Sequence, residues 1–141
     1  MEPVSTDILR IIDANYNRIN EGLRVIEEYY RFISPNSELQ KQLKEIRHNL
    51  FSEIHLKINY TRLLENRDSA NDLGAEYSTQ REVEKNDLKE ILISNFKRVQ
   101  ESFRVLEEYS KLVFPESSPF FKKFRFQIYE LEKKQILEMK V

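Results

Sequence analysis

The chain has 141 residues, of which 33% are charged and 40% are hydrophobic, and its 23 Lys and Arg face 24 Asp and Glu. This length suits a single domain over residues 1–141, and a net charge of −1 excludes the basic surface of a nucleic-acid-binding protein. There is no apolar run of 18 residues for a membrane span, no signal-like stretch near Met1 and no Cys, so we expect a cytoplasmic protein without disulfides.

The first two predicted elements are long amphipathic helices. Low Gly and Pro content with abundant Glu, Lys, Arg, Leu and Ile favours helix. The first helix is predicted from Thr6 or Asp7 to the Ser34-Pro35 boundary, and the second from near Ser37 to Ile58. The residues predicted to face the core are Ile8, Ile12, Ile19, Leu23, Ile26, Tyr30, Ile33, Leu39, Leu43, Ile46, Leu50, Ile54 and Ile58.

A polar connection at 66–86 separates this pair from two further helices. The third is predicted from Asp87 to Phe114 and the fourth from about Ser117. A connection of this length without helical period is typical of a functional or disordered segment. The predicted core residues of these helices are Leu88, Ile91, Leu92, Val99, Phe103, Leu106, Val113, Phe121, Phe124, Ile128 and Leu131.

The two helix pairs are an internal repeat. Residues 15–35 align without gaps on residues 95–115, and nine of the 21 positions are identical. Each hairpin has an apolar stripe to bury, and the other hairpin is its natural partner. The sequence therefore predicts an all-α bundle of two tandem pseudo-symmetric helical hairpins, with halves 7–65 and 87–139.

An asparagine lies within the apolar stripe of the first and third helices, at Asn15 and Asn95. A buried carboxamide costs about 1–3 kcal/mol unless its hydrogen bonds are satisfied. One interpretation is a pair of core amides bonded to each other or to backbone. The other, which we prefer, is that both line a polar pocket at the pseudo-twofold axis.

Arginines flank the same stripes, at Arg18 and Arg98, and also border those of the second and fourth helices, at Arg47 and Arg125. A guanidinium beside a core is stable when it meets an anion, so four converging arginines would form a phosphate site without a glycine-rich loop. The alternative is a solvated ladder of i,i+3 and i,i+4 ion pairs, which explains most of the far face of the first helix. That face carries Arg24, Glu27 and Glu28.

The connecting segment supplies acidic residues, with Asp68 and Asp72 as hard oxygen ligands suited to Mg²⁺ bound with phosphates. Glu21 and Glu101 lie nearby in the predicted fold. Asp72 with Gly74 also fits an ordinary turn or helix cap. Gly22 and Gly74 are the only glycines, which excludes a P-loop and a dinucleotide fingerprint.

Several motifs together resemble one bacterial family. They are Asp13-Ala14-Asn15-Tyr16-Asn17-Arg18, the Glu21–Tyr29 stretch, Arg47-His48, Arg67–Gly74, Asn95–Arg98, and Glu101 with Arg104–Glu108. The chain is similar to the small all-helical hydroxymethylpyrimidine-phosphate kinase domain of thiamine biosynthesis, which is often fused in front of thiamine-phosphate synthase. Ser69 and Ala75 depart from it where threonine is expected.

The resemblance implies an ATP-dependent phosphotransferase that converts hydroxymethylpyrimidine phosphate to the diphosphate. Our hypothesis assigns phosphate binding and catalysis to Arg18, Arg98, Arg67 and Asp68, and Mg²⁺ to Asp68 and Asp72. The substrate-binding candidates are Asn15, Asn95, Arg47, Glu21, Glu101 and Gly74.

A (β/α)₈ barrel needs about 200 residues or more, so we expect no thiamine-phosphate synthase activity from this chain. A separate synthase would then act downstream. The alternative function is a non-catalytic helical interaction module or a phosphate-ester-binding module. Pseudo-symmetric bundles often dimerise, so the sequence is compatible with a homodimer.

Overall fold

The computed structural model describes residues 6–75 and 87–139, and the regular structure in these ranges is helical. The described residues form five α-helices, with short π- or 3₁₀-helical turns between some of them. The helices are α1 (Thr6–Glu28), α2 (Ser37–His55), α3 (Tyr60–Asn66), α4 (Leu88–Tyr109) and α5 (Ser118–Glu138). The turns are a π-helical one at Tyr29–Ile33 and 3₁₀ ones at Ser69–Asn71, Ser110–Leu112 and Pro115–Ser117. No helix in the described part of the chain is both long and apolar enough to cross a membrane.

Side-chain caps set three of the helix starts. Asn36 accepts a hydrogen bond from the backbone N–H of Leu39, and Asp87 accepts one from Glu90. These caps satisfy backbone donors that a first helical turn leaves unpaired. The predicted starts of the second and third helices are therefore confirmed.

The predicted continuation of the second helix to Ile58 is wrong. α2 ends at His55, and the chain re-enters a short helix, α3, behind the cap of Asn59 on the N–H of Arg62. Ile58 is nevertheless buried, so hydrophobic period alone did not show the break. The remainder of the predicted connection, 76–86, lies outside the described residues.

Helices α1 and α4 form the centre of the bundle, with α2 packed on α1 and α5 on α4. Most of the predicted core is buried, as expected when amphipathic helices turn their apolar stripes together. The prediction of a core position is wrong for two residues. Ile33 is 55% exposed, in the π-helical turn that leaves the stripe, and Leu88 is 45% exposed, in the first turn of α4.

The central helices approach each other closely at Gly22. A Cβ at this position would lie 2.7 Å from Cγ2 of Val99 and 3.4 Å from the backbone oxygen of Asn95. The repeat counterpart of Gly22 is Ser102, which is also small and buried. Small residues at these two positions let α1 and α4 pack with little space between their backbones.

Tyr30 is buried at 3% exposure, and its hydroxyl is the buried polar side-chain atom without a hydrogen-bond partner in the described residues. Burial raises its pKa to about 12, and the charges of Tyr29 and Glu138 add to the rise. Because the neutral phenol is favoured in the folded state, this contribution to stability is present below pH 10 and is lost as the pH rises towards 12.

Tyr30→Phe is expected to raise the free energy of unfolding by about 1 kcal/mol at pH 8, since it removes an unsatisfied hydroxyl. The variant should also lose less stability than the parent between pH 9 and pH 11. Urea unfolding at the three pH values measures both effects. Tyr109→Phe, which changes an exposed hydroxyl, is the control, and an equal alkaline loss in Tyr30→Phe and the parent would contradict the assignment.

Candidate functional site

A polar cleft of about 900 Å³ lies where the segment 67–73 crosses α1, and Arg98 of α4 completes its wall. We call it the α1 cleft. Seven of the residues predicted from sequence to form the site line it together: Asn15, Arg18, Glu21, Arg67, Asp68, Asp72 and Arg98. The connecting segment therefore supplies one wall of the cleft and the central helix pair supplies the other.

Asn15 is only 4% exposed, and its hydrogen-bond partners are its sequence neighbours Ile11 and Arg18 on α1. Its Nδ2 donates to the backbone oxygen of Ile11 at 2.8 Å, and its Oδ1 accepts from Nη1 of Arg18 at 3.3 Å. The hydrogen bonds of the buried amide thus offset the cost of its burial. One of them also orients the guanidinium of Arg18 at the cleft wall. The backbone-bonded interpretation and the pocket interpretation both describe part of what Asn15 does.

Asn95 makes the same hydrogen bond to backbone as Asn15, but its side chain does not lie at the cleft. Its Nδ2 donates to the backbone oxygen of Ile91 at 2.8 Å, and its side chain lies beside Gly22 rather than in the lining of the α1 cleft. The described contacts include no hydrogen bond between Asn15 and Asn95. The two halves are therefore similar in local helix structure and different in what their asparagines face.

Arg67 enters the cleft from the connecting segment and is held there by Asp13. Nε of Arg67 donates to Oδ2 of Asp13 at 2.7 Å, and Nη2 donates to Oδ1 at 2.8 Å. Asn17 supports the same carboxylate, with its Nδ2 3.1 Å from Oδ1 of Asp13. The hydrogen bonds to Asp13 raise the pKa of Arg67 above its ordinary value.

Asp13 is a residue of the cleft that the sequence pattern did not single out as a site residue. It is a buried carboxylate on α1 that lies outside the predicted apolar stripe of the helix. The signal that could have found it is the repeat, since the counterpart of Asp13 in the second half is Ile93. A charged residue in one half that matches an aliphatic residue in the other indicates that the two halves differ in function at this position.

Asp68 and Asp72 shape the segment and also face the cleft. Oδ1 of Asp68 accepts from the backbone N–H of Asn71 at 3.3 Å, and Oδ1 of Asp72 accepts from that of Gly74 at 2.8 Å. Gly74 itself is not among the lining residues. The turn role that the sequence left open is therefore present, and both oxygens of Asp68 also accept from Nδ2 of Asn71 at 3.0 Å.

Four arginines do not converge, and that expectation is wrong for Arg47 and Arg125. Nε and Nη2 of Arg47 donate to the two carboxylate oxygens of Glu27 at 2.6 and 2.8 Å, and Arg125 is paired with Glu107 in the second half. Glu27 is consequently a buried ion-pair partner and not part of a solvated ladder. A helical wheel shows the direction in which a side chain points but not which residue of a neighbouring helix it contacts.

The predicted site residues thus divide between the cleft and the rest of the bundle. Those outside its lining are Arg47, Asn95, Glu101 and Gly74. The charged side chains of the lining are four arginines, Arg10, Arg18, Arg67 and Arg98, and five carboxylates, Asp7, Asp13, Glu21, Asp68 and Asp72. Arg10 is paired with Asp7 and Arg67 with Asp13. Arginine guanidinium groups match the geometry of phosphate oxygens, so this arrangement suits a phosphorylated ligand.

The fold and the cleft define an all-helical, internally repeated bundle with an arginine-lined polar cleft. The chain belongs to the ThiD2 family, whose model matches residues 10–134. It is 41% identical over 131 residues to a thiamine-phosphate synthase of Nostoc punctiforme and 39% identical over 127 residues to that of Synechocystis. It is also 36% identical over 135 residues to the thiamine-phosphate synthase of Rhodopirellula baltica.

These alignments cover nearly all of this chain but a minor part of the relatives. They include 93%, 90% and 96% of the chain, and in each case 36% of the relative's length. No solved structure matches the chain. The chain therefore spans about a third of the length of the curated relatives it matches.

Proposed function

We propose that this chain is an ATP-dependent kinase of thiamine biosynthesis, which phosphorylates hydroxymethylpyrimidine phosphate to the diphosphate. The ThiD2 match and the names of the relatives support a role in thiamine biosynthesis. The observation that carries the kinase proposal is the α1 cleft, where Arg18, Arg67 and Arg98 stand beside Asp68 and Asp72.

In this reaction the protein mainly has to position the two substrates and neutralise the charge of their phosphate groups. An oxygen of the substrate monophosphate attacks the γ-phosphorus of ATP, the bond from that phosphorus to the β–γ bridging oxygen breaks, and ADP leaves. A phosphate monoester has a second pKa of about 6, so the attacking oxygen is already anionic near neutral pH. No strong general base is required, which suits a cleft without a histidine in its lining.

The three arginines would share the negative charge of the two phosphate groups as it moves towards ADP. Arg67 is held by two hydrogen bonds to Asp13, and Arg18 donates one to Oδ1 of Asn15, so both guanidinium groups are partly oriented before ligand binds. Preorganised donors of this kind stabilise charge without a reorganisation cost at the moment of reaction.

Asp68 and Asp72 fit a Mg²⁺ ion that is shared with substrate phosphates. Magnesium in such enzymes is held by one or two carboxylates, with phosphate oxygens and water completing its shell. The described residues contain no group of three or more acidic or imidazole ligands, so a site made by protein alone is not what this part of the chain offers. When bound, the ion would neutralise phosphate charge.

The test is incubation of the 141-residue chain with ATP, Mg²⁺ and hydroxymethylpyrimidine phosphate, followed by ADP and pyrimidine diphosphate measured together. Stoichiometric formation of both is expected. Adding the thiazole phosphate should yield no thiamine phosphate, because the described residues are helical and offer no barrel. A (β/α)₈ thiamine-phosphate synthase added separately should then complete the sequence.

Each other outcome has a defined meaning. Saturable binding of the pyrimidine phosphate without ADP release would replace the kinase by a phosphate-ester-binding module. Neither binding nor turnover would leave a helical interaction module. Thiamine phosphate formed by the chain alone would overturn the assignment of the synthase step to another protein.

A further inference from the structure

The contact between Asp13 and Arg67 joins segments 54 residues apart and fixes where the connecting segment meets α1. Asp13 accepts two hydrogen bonds from the Nε/Nη2 edge of the guanidinium and is almost fully buried, with 5% of its side chain exposed. Arg67 is 37% exposed and lines the α1 cleft. Both residues line the α1 cleft, with Asp13 as the buried end of the pair on α1 and Arg67 as the more exposed end.

The pairing leaves part of the guanidinium free for a ligand. Arginine has five N–H donors, and the bidentate contact uses only one edge of the planar group. No acceptor among residues 6–75 and 87–139 meets Nη1 of Arg67. A phosphate oxygen could bind there while Asp13 holds the opposite edge.

The second half has no equivalent of the Asp13–Arg67 pair at the matching position. The counterpart of Asp13 is Ile93, which can accept no hydrogen bond, and the described segment 67–75 lies against α1. The repeat is thus made unequal at this point, with the arginine-bearing segment docked on the first half.

We infer that Asp13 is a positioning residue that holds Arg67 with its free guanidinium edge towards a phosphate group in the α1 cleft. The inference rests on the proposed function for the identity of the phosphate. Asp13 touches no reacting atom and acts only through Arg67, so its effect depends on the presence of that arginine.

A double-mutant cycle tests this dependence. Asp13→Ala and Arg67→Ala are each expected to lower kcat/KM for the pyrimidine phosphate by roughly 100-fold, the loss typical of a misplaced binding group. The double variant should lie within about threefold of Arg67→Ala, because Asp13 has nothing to position once the arginine is gone. Multiplied losses of about 10,000-fold in the double variant would overturn the inference.

Glu27→Gln is the matched control for a merely structural role. Glu27 also lies on α1 and pairs in bidentate fashion with an arginine, but the pair is outside the cleft. Glu27→Gln is expected to lower thermal stability, while its kcat and KM stay within about twofold of the parent values. A fall in kcat/KM for Glu27→Gln equal to that for Asp13→Ala would show a general effect of stability and overturn the inference.

Pyrophosphate binding separates failure of this inference from failure of the kinase proposal. Calorimetric titration of the parent chain is expected to show binding that weakens by about tenfold in Asp13→Ala and in Arg67→Ala, with no further loss in the double variant. If the parent binds pyrophosphate in this pattern yet releases no ADP, the kinase proposal fails and the positioning role stands. If the parent binds no pyrophosphate, or Asp13→Ala binds it as well as the parent, the positioning role fails.

Discussion

Arg18→Ala is expected to lower kcat by roughly 100- to 1,000-fold, the cost of removing one preorganised donor to transition-state charge. Arg18 and Arg98 both line the α1 cleft, and Nη1 of Arg18 is oriented by Oδ1 of Asn15. The side chain is largely exposed, so the free energy of unfolding should change by no more than about 1 kcal/mol. Initial rates of ADP release, with urea unfolding alongside, measure the two quantities.

Arg31→Ala is the control for this substitution. It removes an exposed arginine that lies over the ring of Phe32, away from the cleft, and is expected to leave ADP release unchanged. The comparison excludes a general effect of net charge on ATP binding. Turnover of Arg18→Ala within threefold of the parent would remove Arg18 from the catalytic machinery.

The fold was largely predictable because each helix carries its own information. Leu43 and Leu50 repeat at helical spacing and are fully buried, and Asp87 precedes a helix that it caps. These features depend on residues within one or two turns of each other. The break before α3 was not predictable in this way, since Ile58 stays in phase and buried while the cap is provided by Asn59.

The candidate site was predictable in its residue types and less so in its partners. Arg18, Arg67 and Arg98 were selected for their charge and position, and they do line one cleft. The partners of Arg67 and Arg47 lie 54 and 20 residues away, and both of them are on α1. Which carboxylate meets which arginine depends on how helices are packed, and a wheel for a single helix does not contain that information.

The buried ion pairs are where the largest stability effect is expected. Nε and Nη2 of Arg125 donate to Oε2 of Glu107 at 3.0 and 2.9 Å, and both side chains are 9% exposed. Glu107→Ala would leave a guanidinium buried without its anion, which costs about 3–5 kcal/mol. A fall in Tm of roughly 10 °C or more is expected for a domain of this size.

Glu108→Ala is the matched control, because the neighbouring Glu108 makes ion pairs with Arg104 and Lys111 that are about half exposed. Exposed pairs of this kind contribute about 0–1 kcal/mol, so the control should unfold close to the parent.

Replacing both members of the buried pair separates a lost attraction from a stranded charge. Glu107→Leu combined with Arg125→Met should recover most of the stability lost in Glu107→Ala, since no unpaired ion then remains in the interior. Thermal and urea unfolding of the three variants measure this. If the double replacement is as unstable as Glu107→Ala, the cost lies in the packing of α4 against α5 and not in the buried charge.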